Sequence, residues 1–324
     1  MKVSVIIPIY NVSHFIERCA ESLMQQTLND VEFIFVNDST PDNSIKLLRE
    51  VLERYPDRAA QVKIIEHAQN KGLPAARNTG LTMAIGEYVF HCDSDDYVEP
   101  DMLEQLYVVA KKKDADVVWC DWFLSYDNSE RYMKQPSFNA PLEALKAMLD
   151  GRMKYNVWNK LVKRSLYTDN NISFPAGHGM GEDMTMIRLA ACAKKVAYVD
   201  KALYHYVRSN SEAMTQSFNE CHLCDVRHNV DETVAFLAQK SLDTERETAL
   251  FKLNVKLPFL VTNSWKSYRR WGEWYAEANT YIGDNKEQPF RTRLLQQMAA
   301  KRFYIGVWAY YQVIYRFLYT ILYK

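Results

Sequence analysis

A chain of 324 residues exceeds what one compact core needs and leaves room for a large domain with a smaller one. Lys plus Arg and Asp plus Glu balance at 40 each, which excludes a nucleic-acid binder on bulk charge, and the apolar content excludes a disordered or fibrous chain. Six scattered cysteines and an N-terminal apolar run broken by Pro8 give neither a disulfide framework nor a secretory leader, so a reducing cytoplasm is the expected compartment.

Residues 3–10 form a nearly continuous β-branched run, the pattern of a strand buried on both faces. The chain then turns at 11–13, with Ser13 as the expected helix cap, and Ile16, Cys19, Leu23 and Met24 recur at helical spacing. A second strand over 31–36 ends at Asn37-Asp38-Ser39, and Pro41, Asp42 and Asn43 open a helix with Ile45, Leu48, Leu52 and Tyr55 on one face. A third strand spans 62–66, Asn70-Lys71-Gly72 turns, and a helix follows over 73–84. Residues 88–91 are a short strand running into Asp93-Ser94-Asp95-Asp96, followed by a helix over 100–113, a strand over 116–120 and a short strand over 196–200.

Strand alternating with helix specifies an α/β fold on a mostly parallel sheet. Ligands of such sheets bind beyond the carboxyl ends of the strands. Tyr10, Asn11, Asp38 and Asp93 to Asp96 all fall there. No Gly-x-Gly-x-x-Gly and no Gly-x-x-x-x-Gly-Lys-[Ser/Thr] occurs, so phosphates are expected to meet a metal and basic side chains rather than a glycine-rich loop. Asp93, Asp95 and Asp96 repel one another unless a cation joins them, and carboxylate oxygens suit Mg²⁺ or Mn²⁺; a solvated acidic turn is the alternative.

Six blocks in order carry a resemblance. They are Val5-Ile6-Ile7-Pro8-Ile9-Tyr10-Asn11, Val36-Asn37-Asp38-Ser39-Thr40-Pro41-Asp42, Asn70-x-Gly72-x-x-x-Ala76-Arg77-Asn78, Asp93-Ser94-Asp95-Asp96, Trp158-Asn159-Lys160-Leu161 and Gly181-Glu182-Asp183. Together they resemble the family 2 glycosyltransferases, which have the GT-A fold. The one departure is in the second block, where the usual Gly is Ser or Thr. The resemblance implies an inverting, metal-dependent transfer of sugar from a nucleoside-diphosphate donor, a UDP-sugar by family analogy, to a hydroxyl of a glycan or lipid-linked acceptor in bacterial polysaccharide synthesis. It implies a donor pocket lined by Pro8, Tyr10, Asn11, Asp38, Arg77, Asp93 and Ser94, with Arg77 on donor phosphate or on the acidic loop. It places Mn²⁺ or Mg²⁺ on Asp95 in an Asp-x-Asp arrangement, and makes Asp183 the general base with Glu182 as its rival. His205 completes the metal shell or touches phosphate with Arg208; a structural hydrogen bond is its bland alternative. Two other readings stand beside this one: a nucleotidyltransferase, disfavoured by the missing glycine loop and lysine after the first strand, and a non-catalytic nucleotide-sugar binder, disfavoured by Glu182-Asp183.

The expected organisation is a GT-A domain over 1–215 and a helical region over 216–324. Helices are expected over 220–239 and 245–264, the second kinked or ended by Pro258, with a basic and aromatic break over 265–274. Cys221-His222-Leu223-Cys224 with His228 lacks the second pair that a zinc site needs. Residues 302–324 are apolar and aromatic over most of a helix, with Arg302 and Arg316 on one stripe and no acids. Such a helix suits the surface of an anionic membrane, which makes the protein peripheral at the inner face of the cell membrane and fits a lipid-linked acceptor; packing on a core or a partner chain is the alternative.

Overall fold

The computed structural model describes residues 1–208 and 220–318. Nine strands form one sheet: β1 (Val3–Ile9), β2 (Val31–Asn37), β3 (Val62–Glu66), β4 (Tyr88–His91), β5 (Tyr97–Val98), β6 (Val117–Tyr126), β7 (Ser129–Met133), β8 (Lys160–Lys163) and β9 (Val196–Val207). Their order is β3-β2-β1-β4-β8-β6-β9-β5, with β7 paired to β6. The half from β3 to β4 is parallel throughout, β8 enters antiparallel to β4 and β6, and β9 returns parallel to β6. Every residue of β1 is buried, Ser4 included, as its nearly continuous apolar run requires of a central parallel strand.

The helices are α1 (Ile16–Met24), α2 (Ser44–Arg54), α3 (Pro56–Ala59), α4 (Leu73–Met83), α5 (Met102–Lys113), α6 (Pro141–Asp150), α7 (Arg164–Asp169), α8 (Thr185–Cys192), α9 (Glu220–Gln239), α10 (Glu245–Lys256), α11 (Trp265–Glu273), α12 (Phe290–Ala300) and α13 (Tyr304–Tyr310). Ile16, Cys19, Leu23 and Met24 of α1 are buried, as their spacing required, but Ser13 does not cap that helix. The N-cap position is Phe15, and Ser13 N–H donates to Asp42 Oδ2 at 2.8 Å.

Two compact units result. The first comprises residues 1–145 and 155–240, and the second 146–154 and 241–324. The boundary expected at 215/216 falls within 209–219, outside the described residues. In the second unit α10 stops at Lys256 and a 3-10 turn, Leu257–Leu260, carries Pro258. The expected break at 265–274 is the helix α11, because Ser264 Oγ caps it by accepting from Ser267 N–H. Lys256 is fully buried there, and its ammonium donates to the Trp274 carbonyl at 2.7 Å and to Asn279 Oδ1 at 2.7 Å above the Trp271 ring. The described part of the tail is helical from Tyr304, with α13 passing into a π-helical stretch, Tyr311–Leu318, and Arg302 precedes α13 in a left-handed conformation. Residues 319–324 lie outside the described residues, among which no helix is long and apolar enough to cross a membrane.

Helix α4 lies close on β1. A Cβ added at Gly80 would fall 2.3 Å from Ile6 Cγ2, so only glycine permits that approach. Gly80→Ala is therefore expected to destabilise the protein by about 1–3 kcal/mol through overpacking, read from urea unfolding. An unchanged midpoint would mean that α4 has room to shift.

Candidate functional site

Pro8 explains where the acidic turn begins. Lys2 and Ile6 accept from Tyr88 and Cys92 N–H, so alternate residues of β1 face β4, and Pro8 is the next in that series. Lacking an N–H, it cannot continue the ladder, and the chain after Cys92 leaves the sheet. Pro8 itself is buried in the sheet opposite Val36, whereas Tyr10 is 49% exposed at the rim. Asn11 is also exposed, in a left-handed conformation, with its N–H on Thr40 Oγ1 at 2.8 Å.

The three acids of the turn have different environments. Asp96 points inward, accepting from Tyr204 Oη at 2.7 Å and from Val207 N–H at 2.8 Å, and burial beside Asp95 and Asp93 raises its pKa well above the usual carboxylate range. Three carboxylates around one cation is thus not the arrangement; Asp96 shapes the turn, and its N–H closes onto the Asp93 carbonyl at 3.1 Å. Asp93 and Asp95 are half-buried, with Ser94 buried between them.

Arg77, on α4, is 1% exposed. Nη2 meets Asp93 Oδ1 at 2.8 Å, and Nη1 lies 3.4 Å from Asp183 Oδ1 and 3.7 Å from Glu182 Oε1. The bond to the acidic loop, one of the two roles expected of this residue, is present. Glu182 and Asp183 sit on a 3-10 turn, Glu182–Met184, that Gly181 starts in a left-handed conformation just ahead of α8. Burial, and then the neighbouring Asp183 charge, raise the Glu182 pKa; burial also raises that of Asp183, against the pull of Arg77. Burial lowers the Lys160 ammonium to about 7 while the Asp183 charge acts the other way; its Nζ donates to the Asn156 carbonyl at 2.7 Å and to Asn159 Oδ1 at 2.8 Å.

Asp38 is 3% exposed and engaged from within the chain through both oxygens. It accepts from the N–H groups of Lys71 at 2.9 Å and Gly72 at 2.7 Å, and meets His67 Nδ1 at 2.6 Å. His67 Nε2 in turn meets Thr79 Oγ1 at 2.8 Å on α4, the helix that carries Arg77. Neither His67 nor Lys160 was given a role from the sequence; an Asp at a strand end facing a His at the next strand end was the available signal. His205 is held between Glu130, 2.7 Å from Nδ1, and Glu99, 2.8 Å from Nε2, and its ring stacks on Tyr97. Both of its ring nitrogens thus meet carboxylates other than Asp95. Among the described residues no group of three or more His, Cys, Asp or Glu side chains converges as a metal cage, at Cys221-x-x-Cys224 or elsewhere.

A parallel half-sheet with an open aromatic and acidic rim, faced by a second acidic turn, defines the class: the expected GT-A fold with its helical C-terminal region. The fold is similar to the crystal structure of S. aureus TarS 1-349 in complex with UDP-GlcNAc, with a TM-score of 0.73 at 21% identity, covering 98% of this chain and 92% of that one. Residues 4–186 match the family model for glycosyl transferase family 2, and the chain belongs to that family. It is 37% identical over 223 residues to an uncharacterized glycosyltransferase, EpsJ, of Bacillus subtilis, covering 66% of this chain and 63% of EpsJ. It is 30% identical over 226 residues to the poly(ribitol-phosphate) beta-glucosyltransferase of Bacillus spizizenii, covering 67% of this chain and 34% of that protein. The match to EpsJ thus falls short of two thirds of that relative's length.

Arg77→Met leaves three buried or half-buried carboxylates without their cation and is expected to cost about 3–5 kcal/mol of stability in urea unfolding. Arg77→Lys keeps the charge but not the fork, and should cost less. Equal losses in the two variants would show that fork geometry, and not charge, holds the cluster.

Proposed function

We propose that the protein transfers a sugar from a nucleoside-diphosphate donor, a UDP-sugar, to a hydroxyl of a glycan or lipid-linked acceptor during surface-polysaccharide assembly, with inversion. The observation that carries this is the Arg77 bridge, a single guanidinium joining Asp93 on one acidic turn to Asp183 on another, 106 positions along the chain from Arg77. Family membership supports the reaction class, the UDP-GlcNAc bound to TarS supports the donor class, and the beta-glucosyltransferase relative supports a polyol or glycan acceptor.

Asp183 takes the acceptor's proton as the hydroxyl attacks the anomeric carbon. Its raised pKa brings it nearer neutrality than a surface carboxylate, which suits a base, and burial raises the pKa of Glu182 beside it as well. Tyr10 offers an exposed ring for the nucleobase, with Asn11 beside it, and Asp38 holds the 70–72 turn that frames the pocket. Asp95 with Asp93 would hold Mn²⁺ or Mg²⁺. Two half-buried carboxylates suit a hard cation that keeps places for water and phosphate, and His205 is not part of that shell. When bound, the ion offsets charge building on the departing diphosphate.

Asp183→Asn is expected to lower turnover about 10²–10⁴-fold while leaving UDP affinity intact, and EDTA to abolish transfer until Mn²⁺ is restored. Because the base works deprotonated and its pKa is raised, the rate should rise with pH through a value above the ordinary carboxylate range. Undiminished turnover in Asp183→Asn removes that residue from its role. Thermal-shift screening of nucleotide sugars with Mn²⁺ identifies the donor.

The tail supports contact with an anionic membrane surface. Phe303 and Ile305 are 56% and 64% exposed, Trp308 and Val313 are exposed beside them, and Lys301, Arg302 and Arg316 supply the only charges in 301–318. The protein should sediment with vesicles rich in anionic lipid and not with zwitterionic ones, and Ile305→Ser with Arg302→Glu should abolish this. Equal recovery with both vesicle types would remove the electrostatic part of the proposal.

A further inference from the structure

Helix α9 lies beyond the matched residues 4–186, yet it is built into the approach to Glu182 and Asp183. Asn229 of α9 is 3% exposed. Its Nδ2 donates to the carbonyl of Met180 at 2.8 Å and to that of His178 at 3.2 Å. The loop so held contains Gly177, Gly179 and Gly181, and Gly177 and Gly181 have φ of 85° and 90°. A chain that rich in glycine has many conformations to lose and follows one path only if its carbonyls are tied. The same helix also steadies the loop through His178, whose Nδ1 lies 3.2 Å from Asp225 Oδ1 and whose ring stacks on His228 at 3.8 Å. At the other end of the loop, Asn78 of α4 donates to the Phe174 carbonyl and accepts from Phe174 N–H, both at 2.9 Å.

The loop is therefore pinned twice by carboxamides, once beside Arg77 and once from α9. Filling space alone would place an apolar side chain at a buried helix position. An amide whose two hydrogens go to carbonyls two residues apart fixes a direction instead. A Cβ at Gly181 would lie 3.6 Å from the Asn229 side chain, so the contact sits on the residue from which the 3-10 turn with Glu182 and Asp183 departs.

We infer that Asn229 is a positioning residue for the Glu182-Asp183 pair: it sets the path of the 177–181 loop and hence where the proton acceptor stands relative to Arg77. This rests on the reading of Asp183 as the base. Misplacement of a reacting group by about 1 Å costs about a hundredfold in rate.

The test uses the full chain, Mn²⁺ and a mixture of UDP-glucose, UDP-galactose, UDP-GlcNAc and UDP-GalNAc, following UDP release at saturating donor, with UDP affinity measured by calorimetry. Asn229→Asp keeps the shape but loses both donors. It is expected to lower the saturating rate about 10–100-fold, to leave UDP affinity unchanged, and to speed amide exchange across 177–183. Asn229→Gln, which keeps the amide, should recover part of the rate. A wild-type rate in Asn229→Asp overturns the inference, as does a parallel loss of UDP affinity and rate that Gln does not relieve. If Asn229→Asp fails to fold, Asn229→Ser is read by the same comparison. Asp183→Asn separates the two claims: its retained turnover removes the base, whereas an inactive Asp183→Asn beside a fully active Asn229→Asp removes only the positioning role.

Discussion

The site depends on a cation that water cannot reach. Arg77 is buried, and a guanidinium out of solvent is tolerated only where carboxylates surround it. Asp93, Glu182 and Asp183 are those carboxylates, and they come from two turns far apart in sequence. The attraction works in both directions, since without Arg77 the same three acids would repel one another. The Phe174 ring, 5.4 Å from the guanidinium, closes that side, and Arg77 Nε is left without a hydrogen-bond partner. An unpaired buried donor is tolerated because the charged contacts of the other two nitrogens outweigh it.

What places Arg77 is a chain of smaller constraints. Asp38 gathers the N–H groups of Lys71 and Gly72, and Gly72 opens α4. His67 and Thr79 tie that helix back to the ends of β2 and β3. Gly80 lets it lie against β1. Pro8 meanwhile ends the ladder to β4, so the acidic turn is free to come toward the guanidinium. Elements that look separate in sequence therefore act on one atom group.

The parallel half of the sheet was legible because alternation of apolar runs and amphipathic helices is a local signal. Strands β1 to β4 and helices α2 and α4 fall where periodicity and turn residues put them. Local signals also found the residues of the two acidic turns. They did not tell which acid faces inward. Asp96 and Asp93 are alike in type and local sequence, and distant residues distinguish their side chains: Tyr204 and Val207 bond the carboxylate of Asp96, and Arg77 that of Asp93. His205 misled for the same reason, since its partners Glu99 and Glu130 come from distant parts of the chain. The helix α11 was read as a break because its face is basic and aromatic, whereas its Ser264 cap and buried Tyr268 and Trp271 decide otherwise.

The hydrogen bonds that shape the acidic turn come from residues 108 and 111 positions further on. A nascent chain leaves the ribosome in order, so the acidic turn cannot take its folded shape until β9 has emerged. Such distant pairings are slow to form. Until then Asp96 lacks both of its inward hydrogen bonds, and the turn that carries it has no fixed side.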